Sequence, residues 1–364
     1  RHKDLLEHRY LTSYNLAIHN HPELLKERQS LIAERKKLTR TSQRYVQIGR
    51  RLTQIRNELA SEEKGAVKNA KFVATTVSKT VVDGAVRSGE FDVVIFDEAS
   101  MAYIPQIIFA ASLAKKHFIC MGDFRQLPPI VQSSAASPLN ADIFQYSGIT
   151  AAVDSGRNHK WLCMLDTQYR MHPRIADFSS RTMYGGLLHS ADNMEKSRRN
   201  IVIQKPLGGH PIAFADLSGM MSVCTKTSDN SRINVLSALI SFALALEAAK
   251  NYEVGIITPY HAQSRLLHAM ARDVADTNPK LQPIACHQFQ GSEKDVIIYD
   301  AVDCYRMPYP GMLLTSTSNN YANRLFNVAL TRAKGKFIGV ANIAYMENKR
   351  LSSNLMFENM INGQ

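Results

Sequence analysis

No Cys-x-x-Cys pair occurs anywhere in this 364-residue chain, and its five cysteines, at 120, 163, 224, 286 and 304, are scattered and odd in number. That argues against a disulfide framework and against a zinc site of ordinary ligand spacing. It fits a reducing compartment, so an intracellular protein, cytoplasmic or nuclear (or of the nucleoid), is expected. Long hydrophobic runs are missing as well. The longest apolar stretches, such as Leu236 to Ala249, are too short or too polar to span a bilayer, and no secretory signal is present. No membrane partner is therefore expected. Low-complexity tracts are also absent, which leaves an ordinary globular composition of 45% hydrophobic and 21% charged residues.

What is present in excess is positive charge. Lys and Arg number 44 against 32 Asp and Glu, for a net charge of +12 and a pI near 9.4. Such a balance suits a polyanionic partner, although a protein can be basic without one. Half of the excess lies in residues 1–65, which carry fourteen basic and eight acidic side chains. There Leu24, Leu31, Leu38, Tyr45, Leu52 and Leu59 recur every seven residues, with Leu25, Ile32, Val46, Ile48 and Ile55 widening the stripe. The period is helical, and Pro22 suits a helix start. Thr39 to Ser42 and Gly49 are possible breaks, so one long helix and two packed helices both fit. The expectation is a solvated helical stalk over 1–65, with phosphate contact by its basic face as a weaker addition.

From Phe72 the pattern changes to short apolar runs separated by helical stretches. Strands are predicted over 71–77, 91–97, 117–123, 162–166, 211–216, 253–259, 295–302 and 336–342. Continuous apolar strands alternating with helices predict parallel sheets covered on both faces. The polar, turn-rich interval 152–160 suggests a boundary between two α/β domains, 66–157 and 158–364. Residues 190–210 and 303–322 read as surface loops or small insertions. A ligand crevice is expected where the carboxyl ends of the strands of the two domains face each other.

The residues that carry chemistry fall mainly at the ends of these strands. "FDVVIFDEAS" (91–100) runs an apolar strand into Asp97 and Glu98. An aspartate so placed can hold Mg²⁺ while the next carboxylate orients or deprotonates a water; the plain alternative is a pair that caps the following helix. "GDFRQLPP" (122–129) closes the next strand with Gly122 and Asp123 and offers the neutral amide of Gln126 in a loop stiffened by two prolines. Such an amide can sense a terminal phosphate without adding fixed charge; alone, the string is a turn. "DTQYRMHP" (166–173) presents Arg170, suited to charge spreading in phosphoryl transfer or to an interdomain salt bridge. "ITPYHAQ" (257–263) is expected to expose Tyr260, His261 and Gln263 at a strand end. "CHQFQGSEKDVII" (286–298) puts Gln290, Gly291 and Glu293 in a turn before a strand, and "NRLFNVALTRAK" (323–334) places Arg324, Asn327 and Arg332 on a predicted helix, with Arg332 a second candidate phosphate arginine.

Taken together, "GDFRQLPP", "QYRMHP", "FQGSEKD" and "NVALTRAK" resemble the later motifs of superfamily 1 helicases of the Upf-like branch, over roughly residues 66–345. The resemblance implies two RecA-like parallel-sheet domains, with ATP and Mg²⁺ as nucleotide and metal and single-stranded DNA or RNA as partner. It implies 5′→3′ movement driven by opening and closing of the domains around ATP. By resemblance Asp97 coordinates Mg²⁺, Glu98 activates water, Gln126 contacts the γ-phosphate, and Arg170 and Arg332 are arginine fingers. Glu293 lies beside the nucleotide, with Gly122, Asp123 and Gly291 in the same set. Thr75, Thr76, Pro259, Tyr260 and His287 line the single-strand track, where backbone contacts and stacking dominate; Gln263 and Asn327 are grouped with them. One departure is Ala285, where relatives often carry a threonine that touches the nucleic-acid backbone.

One motif is missing. A Gly-x-x-x-x-Gly-Lys-Ser/Thr loop occurs nowhere, the only Gly-Lys being Gly335-Lys336 followed by Phe337. The chain also starts at Arg1 instead of Met. The expectation is a first RecA-like domain that is incomplete, with its phosphate loop supplied by an upstream segment of the same protein or by a complementing chain. These 364 residues alone are then expected to bind nucleotide weakly without turning it over. The alternative to a motor is a regulatory scaffold that binds nucleic acid and does not hydrolyse ATP. It has no chemical reason to keep both arginines and the acidic pair.

Overall fold

The computed structural model describes residues 12–131, 139, 141–274, 280–285 and 292–363. They form two compact units, 1–122 and 123–364.

The first unit opens with helices. Helix α1 (Ser13–Asn20) is capped by Thr12, whose hydroxyl accepts the Asn15 N–H, and α2 (Pro22–Arg35) starts on a proline. After a break that includes Thr39 to Ser42, α3 (Gln43–Asn69) begins under a Ser42 cap and runs through Gly49. Of the two expected forms the packed pair is the one observed. Helices α2 and α3 lie antiparallel, tied by Arg51–Glu27 and Arg44–Glu34 ion pairs, both 2.7 Å. Ala17, Leu24, Ile55 and Leu59 form their small core. Tyr45 and Leu52 of the seven-residue series are only half-buried, while Ile48 and Ile55 are fully buried. A straight helix drifts against a strict seven-residue repeat, so the seam moves to neighbouring positions.

No strand forms over 71–77. The backbone there is unpaired, and Thr76 instead caps a short helix α4 (Val77–Val82) by accepting the Lys79 N–H. A strand needs a partner for its ladder, and among the described residues β1 (Phe91–Phe96) pairs with β2 (Ala114–Cys120) only. This pair is parallel, with Ile95 opposite Ile119, and is crossed over by α5 (Ile104–Ala111). Side chains two apart share a face. On one face Val93, Ile95 and Ile119 stand 45%, 58% and 46% exposed. A parallel sheet normally buries both faces, so among the described residues this face lacks a cover.

The second unit holds a five-stranded, wholly parallel sheet. Its strands are β3 (Ile212–Asp216), β4 (Val254–Thr258), β5 (Leu281–Ala285), β6 (Lys294–Asp300) and β7 (Ala333–Ala341). They lie in the order β3-β7-β6-β4-β5. Alternation divides the core as period two requires. Ile297, Tyr299 and Phe337 pack with α6 (Pro173–Met183) and α10 (Tyr321–Leu330), while Val296, Ile298 and Ile338 face α8 (Val235–Ala249). Helices α7 (Met194–Ile203) and α9 (His261–Asp273) complete the cover of that second face. Strand β5 lies outside the predicted set and contains Pro283. It is an edge strand, where a residue without an N–H is tolerated. No strand forms over 162–166; the neighbouring Thr167–Gln168 pair with His189–Ser190 instead. Residues 123–131 and 141–157 belong to this unit, tied to it for example by the Tyr184 hydroxyl on Asp123 and by Arg332 on Gln126.

Candidate functional site

In the first unit β1 ends at Phe96 and delivers Asp97 to the surface. Asp97 Oδ1 accepts the Glu98 N–H at 2.9 Å. Glu98 sits at φ 55°, in the left-handed region that costs a side-chain-bearing residue roughly 1–2 kcal/mol. Strain of this kind persists where the surrounding structure fixes it, and here it turns the chain sharply after the strand. Thr75 and Thr76 are exposed, the second with its hydroxyl committed to the α4 cap.

In the second unit four of the expected residues gather at one place. Glu293 immediately precedes β6 and Arg332 immediately precedes β7. The Lys294 N–H bonds the Arg332 carbonyl at 2.9 Å, which holds the two strand starts together, and the His172 N–H bonds the Lys334 carbonyl at 2.7 Å, which brings in the Arg170 segment. Arg170 Nε lies 2.7 Å from Glu293 Oε2, and Lys334 Nζ lies 3.3 Å from Glu293 Oε1. Desolvation works to raise the Glu293 carboxyl, but Arg170 and Lys334 outweigh it and hold the group below the usual carboxylate range. Arg332 is only 3% exposed; its Nη2 donates to Gln126 Oε1 at 2.8 Å and its Nη1 to the Ser292 carbonyl at 3.4 Å. Gln126 Nε2 in turn donates to Asp123 Oδ2 at 2.8 Å.

This cluster occupies the amino ends of β6 and β7, whereas a crevice at the carboxyl ends was expected. The reason is local: Glu293 and Arg332 are the residues that enter these strands, not those that leave them. Beside the cluster a cavity of about 450 Å³ is lined by Gln168, Tyr169, Arg170, Met171, Arg198 and Glu293. Tyr169 is 72% exposed, so an aromatic side chain and two guanidinium-bearing ones share one opening.

The carboxyl ends of β4 and β6 hold something else, a buried polar network. Gln263 is fully buried: Oε1 accepts the Asn234 N–H at 2.9 Å, and Nε2 donates to the Asn234 carbonyl, Ser237 Oγ and, at 2.7 Å, Asp300 Oδ2. Burial pushes the Asp300 carboxyl up to about 6, against the donors from Gln263, Ser237 and the Val302 N–H. Tyr260 donates its hydroxyl to Asp303 at 2.6 Å and is buried, as is Pro259. Asn327 is buried on α10, accepting from Ser179 Oγ at 2.6 Å and donating to Tyr184. The structure thus puts Pro259, Tyr260, Gln263 and Asn327 in the interior of the second unit, with the side-chain polar atoms of the last three engaged internally. The expectation that Tyr260 and Gln263 are exposed does not hold, because the carboxylates Asp300 and Asp303 draw them inward; His261, next to them, is exposed. Gln290, Gly291 and His287 lie outside the described residues.

Sequence reading missed Tyr169, Tyr184, Arg198 and Lys334. Tyr169 and Lys334 stand inside motifs already singled out, "QYRMHP" and "TRAK". Tyr184 and Arg198 carried no signal, since only the fold brings α6 and α7 to this site.

An α/β chain with parallel sheets, an acidic pair after one strand and an arginine-amide-carboxylate cluster at the start of two others is built on the plan of a nucleotide-handling protein. Comparison with known proteins agrees. An AAA domain family model matches residues 149–344, more than half of the chain, and a second AAA domain model matches residues 8–134. The chain belongs to the AAA domain family, within the Upf-like branch of superfamily 1 helicases. It is similar to helicase sen1 of Schizosaccharomyces pombe, 29% identical over 81% of this chain and 17% of that protein. It is also similar to the regulator of nonsense transcripts 1 homolog of Drosophila melanogaster, 28% identical over 75% of this chain and 23% of that protein. Among solved structures, that of PRRSV helicase aligns with 70% of this chain and 36% of that one, at a TM-score of 0.33 and 16% identity. The chain therefore spans about a fifth of the length of these curated relatives. No helix among the described residues is long and apolar enough to cross a membrane.

Proposed function

We propose that this chain is part of an intracellular, ATP-driven 5′→3′ translocase or helicase acting on single-stranded DNA or RNA. The observation that carries the reading is the convergence of Gln126, Arg170, Glu293 and Arg332 at the amino ends of β6 and β7. The proposal gives residues of each unit a role in ATP hydrolysis. From the first, Glu98 takes the proton of the attacking water. From the second, the guanidinium groups of Arg170 and Arg332 neutralise charge that spreads over the transferred phosphoryl group. Gln126 reads the terminal phosphate through its amide. Glu293 keeps Arg170 in place until a phosphate competes for it, and Tyr169 offers a face for the base.

Mg²⁺ fits the donor set. Asp97 is a surface carboxylate at a strand end, a hard oxygen ligand, and among the described residues no group of three or more metal-ligating side chains competes. Mg²⁺ is commonly held by one or two carboxylates plus substrate phosphates and water, so Asp97 is the residue that would hold it, and the ion would neutralise phosphate charge. Among the described residues Phe91–Phe96 and Ala114–Cys120 pair only with each other, so each keeps an unpaired ladder edge, which supports the proposal that further strands, carrying the phosphate loop, complete the first sheet. On nucleic acid, Thr75 and Thr76 are proposed as surface contacts. The proposed contacts of Pro259, Tyr260, Gln263 and Asn327 run through the backbone or through the shape they impose.

The absence of a phosphate loop from these 364 residues favours a second reading, a nucleic-acid-binding scaffold without hydrolysis. The test uses the full-length protein with Mg²⁺ and ATP. Phosphate release stimulated by single-stranded DNA or RNA, with unwinding of a duplex bearing a 5′ but not a 3′ overhang, is the expected result. Nucleic-acid binding with no hydrolysis would establish the scaffold instead.

A further inference from the structure

A line of hydrogen bonds runs from the core of the second unit to Gln126. Ser179 Oγ, fully buried on α6, donates to Asn327 Oδ1 at 2.6 Å. Asn327 Nδ2 donates to the Tyr184 hydroxyl at 3.1 Å. The Tyr184 hydroxyl donates to Asp123 Oδ2 at 2.5 Å, and Gln126 Nε2 donates to that same oxygen at 2.8 Å. Gln126 Oε1 is then left facing Arg332 Nη2, at 2.8 Å. Asp123 Oδ1 accepts the Arg125 N–H at 2.9 Å, so both carboxylate oxygens are committed.

Each link fixes the direction of the next. A serine hydroxyl donating to Asn327 Oδ1 leaves the Asn327 NH₂ for Tyr184, so the tyrosine oxygen accepts there and its proton goes to Asp123. A carboxylate only accepts, so Gln126 must turn its NH₂ to Asp123 and its carbonyl to Arg332. Flipping the Gln126 amide would set oxygen against carboxylate and NH₂ against guanidinium. A phosphate oxygen also only accepts. Gln126 can serve one through the second hydrogen of the NH₂ that Asp123 orients, and through nothing else. Burial and the Asp123 carboxylate both push the Tyr184 hydroxyl well above its ordinary pKa, so it remains a donor.

We propose that Tyr184 is a positioning residue for ATP hydrolysis: its hydroxyl fixes Asp123 and thereby sets the orientation of the Gln126 amide toward the terminal phosphate. This rests on the reading of Gln126 as a phosphate contact. It goes beyond it in naming the residue at the end of α6 that decides which end of the amide the phosphate meets. Helix α6 starts just after Arg170 and ends just before Tyr184. One rigid element thus carries an arginine finger at its start and the anchor of the phosphate sensor at its end.

The test is a double-mutant cycle on the full-length protein, with steady-state ATPase measured at saturating single-stranded nucleic acid. Tyr184→Phe removes only the hydroxyl and is expected to lower kcat about tenfold, with KM for ATP changed less than about threefold. In a Gln126→Ala background the same substitution is expected to have no further effect on kcat, since it acts through the absent amide. Should Tyr184→Phe fail to fold, Ser179→Ala breaks the first link and is expected to lower kcat about threefold in the wild type and not at all in Gln126→Ala. An equal loss in both backgrounds, or none in either, overturns the role of Tyr184 and leaves the site reading intact. A Gln126→Ala protein with wild-type kcat, or a wild type without ATPase activity, overturns the site reading and the inference with it.

Discussion

Replacing Gln263 by leucine separates an interior role from a surface one. The side chain is fully buried and serves four polar groups at 2.7–3.0 Å. Leucine is similar in size but strands the Asn234 N–H and Asp300 Oδ2 away from water. Each buried group left without its partner costs about 1–3 kcal/mol, more when charged, so a loss of about 3–5 kcal/mol is expected. Against a typical total of roughly 5–15 kcal/mol that is severe. The loss should also depend on pH. Asp300 has a carboxyl pKa raised from an ordinary 3.8 to about 6 in the folded protein, so the folded form holds the proton more tightly than the unfolded one. The associated stability is present below pH 3.8, fades as pH rises through about 6, and is worth about 3 kcal/mol in all. Removing the Gln263 donor raises the carboxyl further. The deficit of Gln263→Leu should therefore be larger at pH 8 than at pH 5. Urea titration followed by circular dichroism at the two pH values measures it, beside affinity for a single-stranded oligonucleotide. Wild-type stability at both pH values together with a specific loss of oligonucleotide affinity would refute the interior assignment.

Tyr169→Ala should raise KM for ATP by about five- to a hundredfold with little change in kcat, the range expected for loss of base stacking, while Tyr169→Phe should stay near wild type in steady-state kinetics. Lys336 is fully buried, donating to the Gln204 and Pro206 carbonyls, and burial lowers its pKa from 10.5 to about 8. The unfolded chain then binds the proton more tightly, so stability should rise as pH climbs from about 8 toward 10.5, and Lys336→Met should flatten that rise in thermal melts.

Sequence pattern was a good guide where burial is symmetric and a poor one where a neighbour decides. The apolar runs at 254–258, 294–300 and 333–341 became central strands because nearly every residue in them faces a covered core. "KFVATTV" has the same local character, yet it forms no strand, since no described strand lies beside it to pair with. The edge strand Leu281–Ala285 contains Pro283, whose effect depends on a position in the sheet that the chain order does not reveal. Among candidate site residues, Arg324 and Asn327 lie on the predicted helix, whereas Arg332 falls just past its end, where the chain turns into the strand Ala333–Ala341. The interior fate of Tyr260 and Gln263 was not legible, because it is set by Asp300 and Asp303, some forty residues away in the chain. Tyr184 was invisible for a related reason: its partner Asp123 lies sixty-one residues off.

Glu98→Gln gives the most direct test of the proposed chemistry. Amide for carboxylate keeps the shape and removes the base, so single-strand-stimulated ATP hydrolysis by the full-length protein should fall about a hundredfold or more while binding of Mg²⁺·ATP is retained. Hydrolysis by Glu98→Gln at the wild-type rate would contradict it.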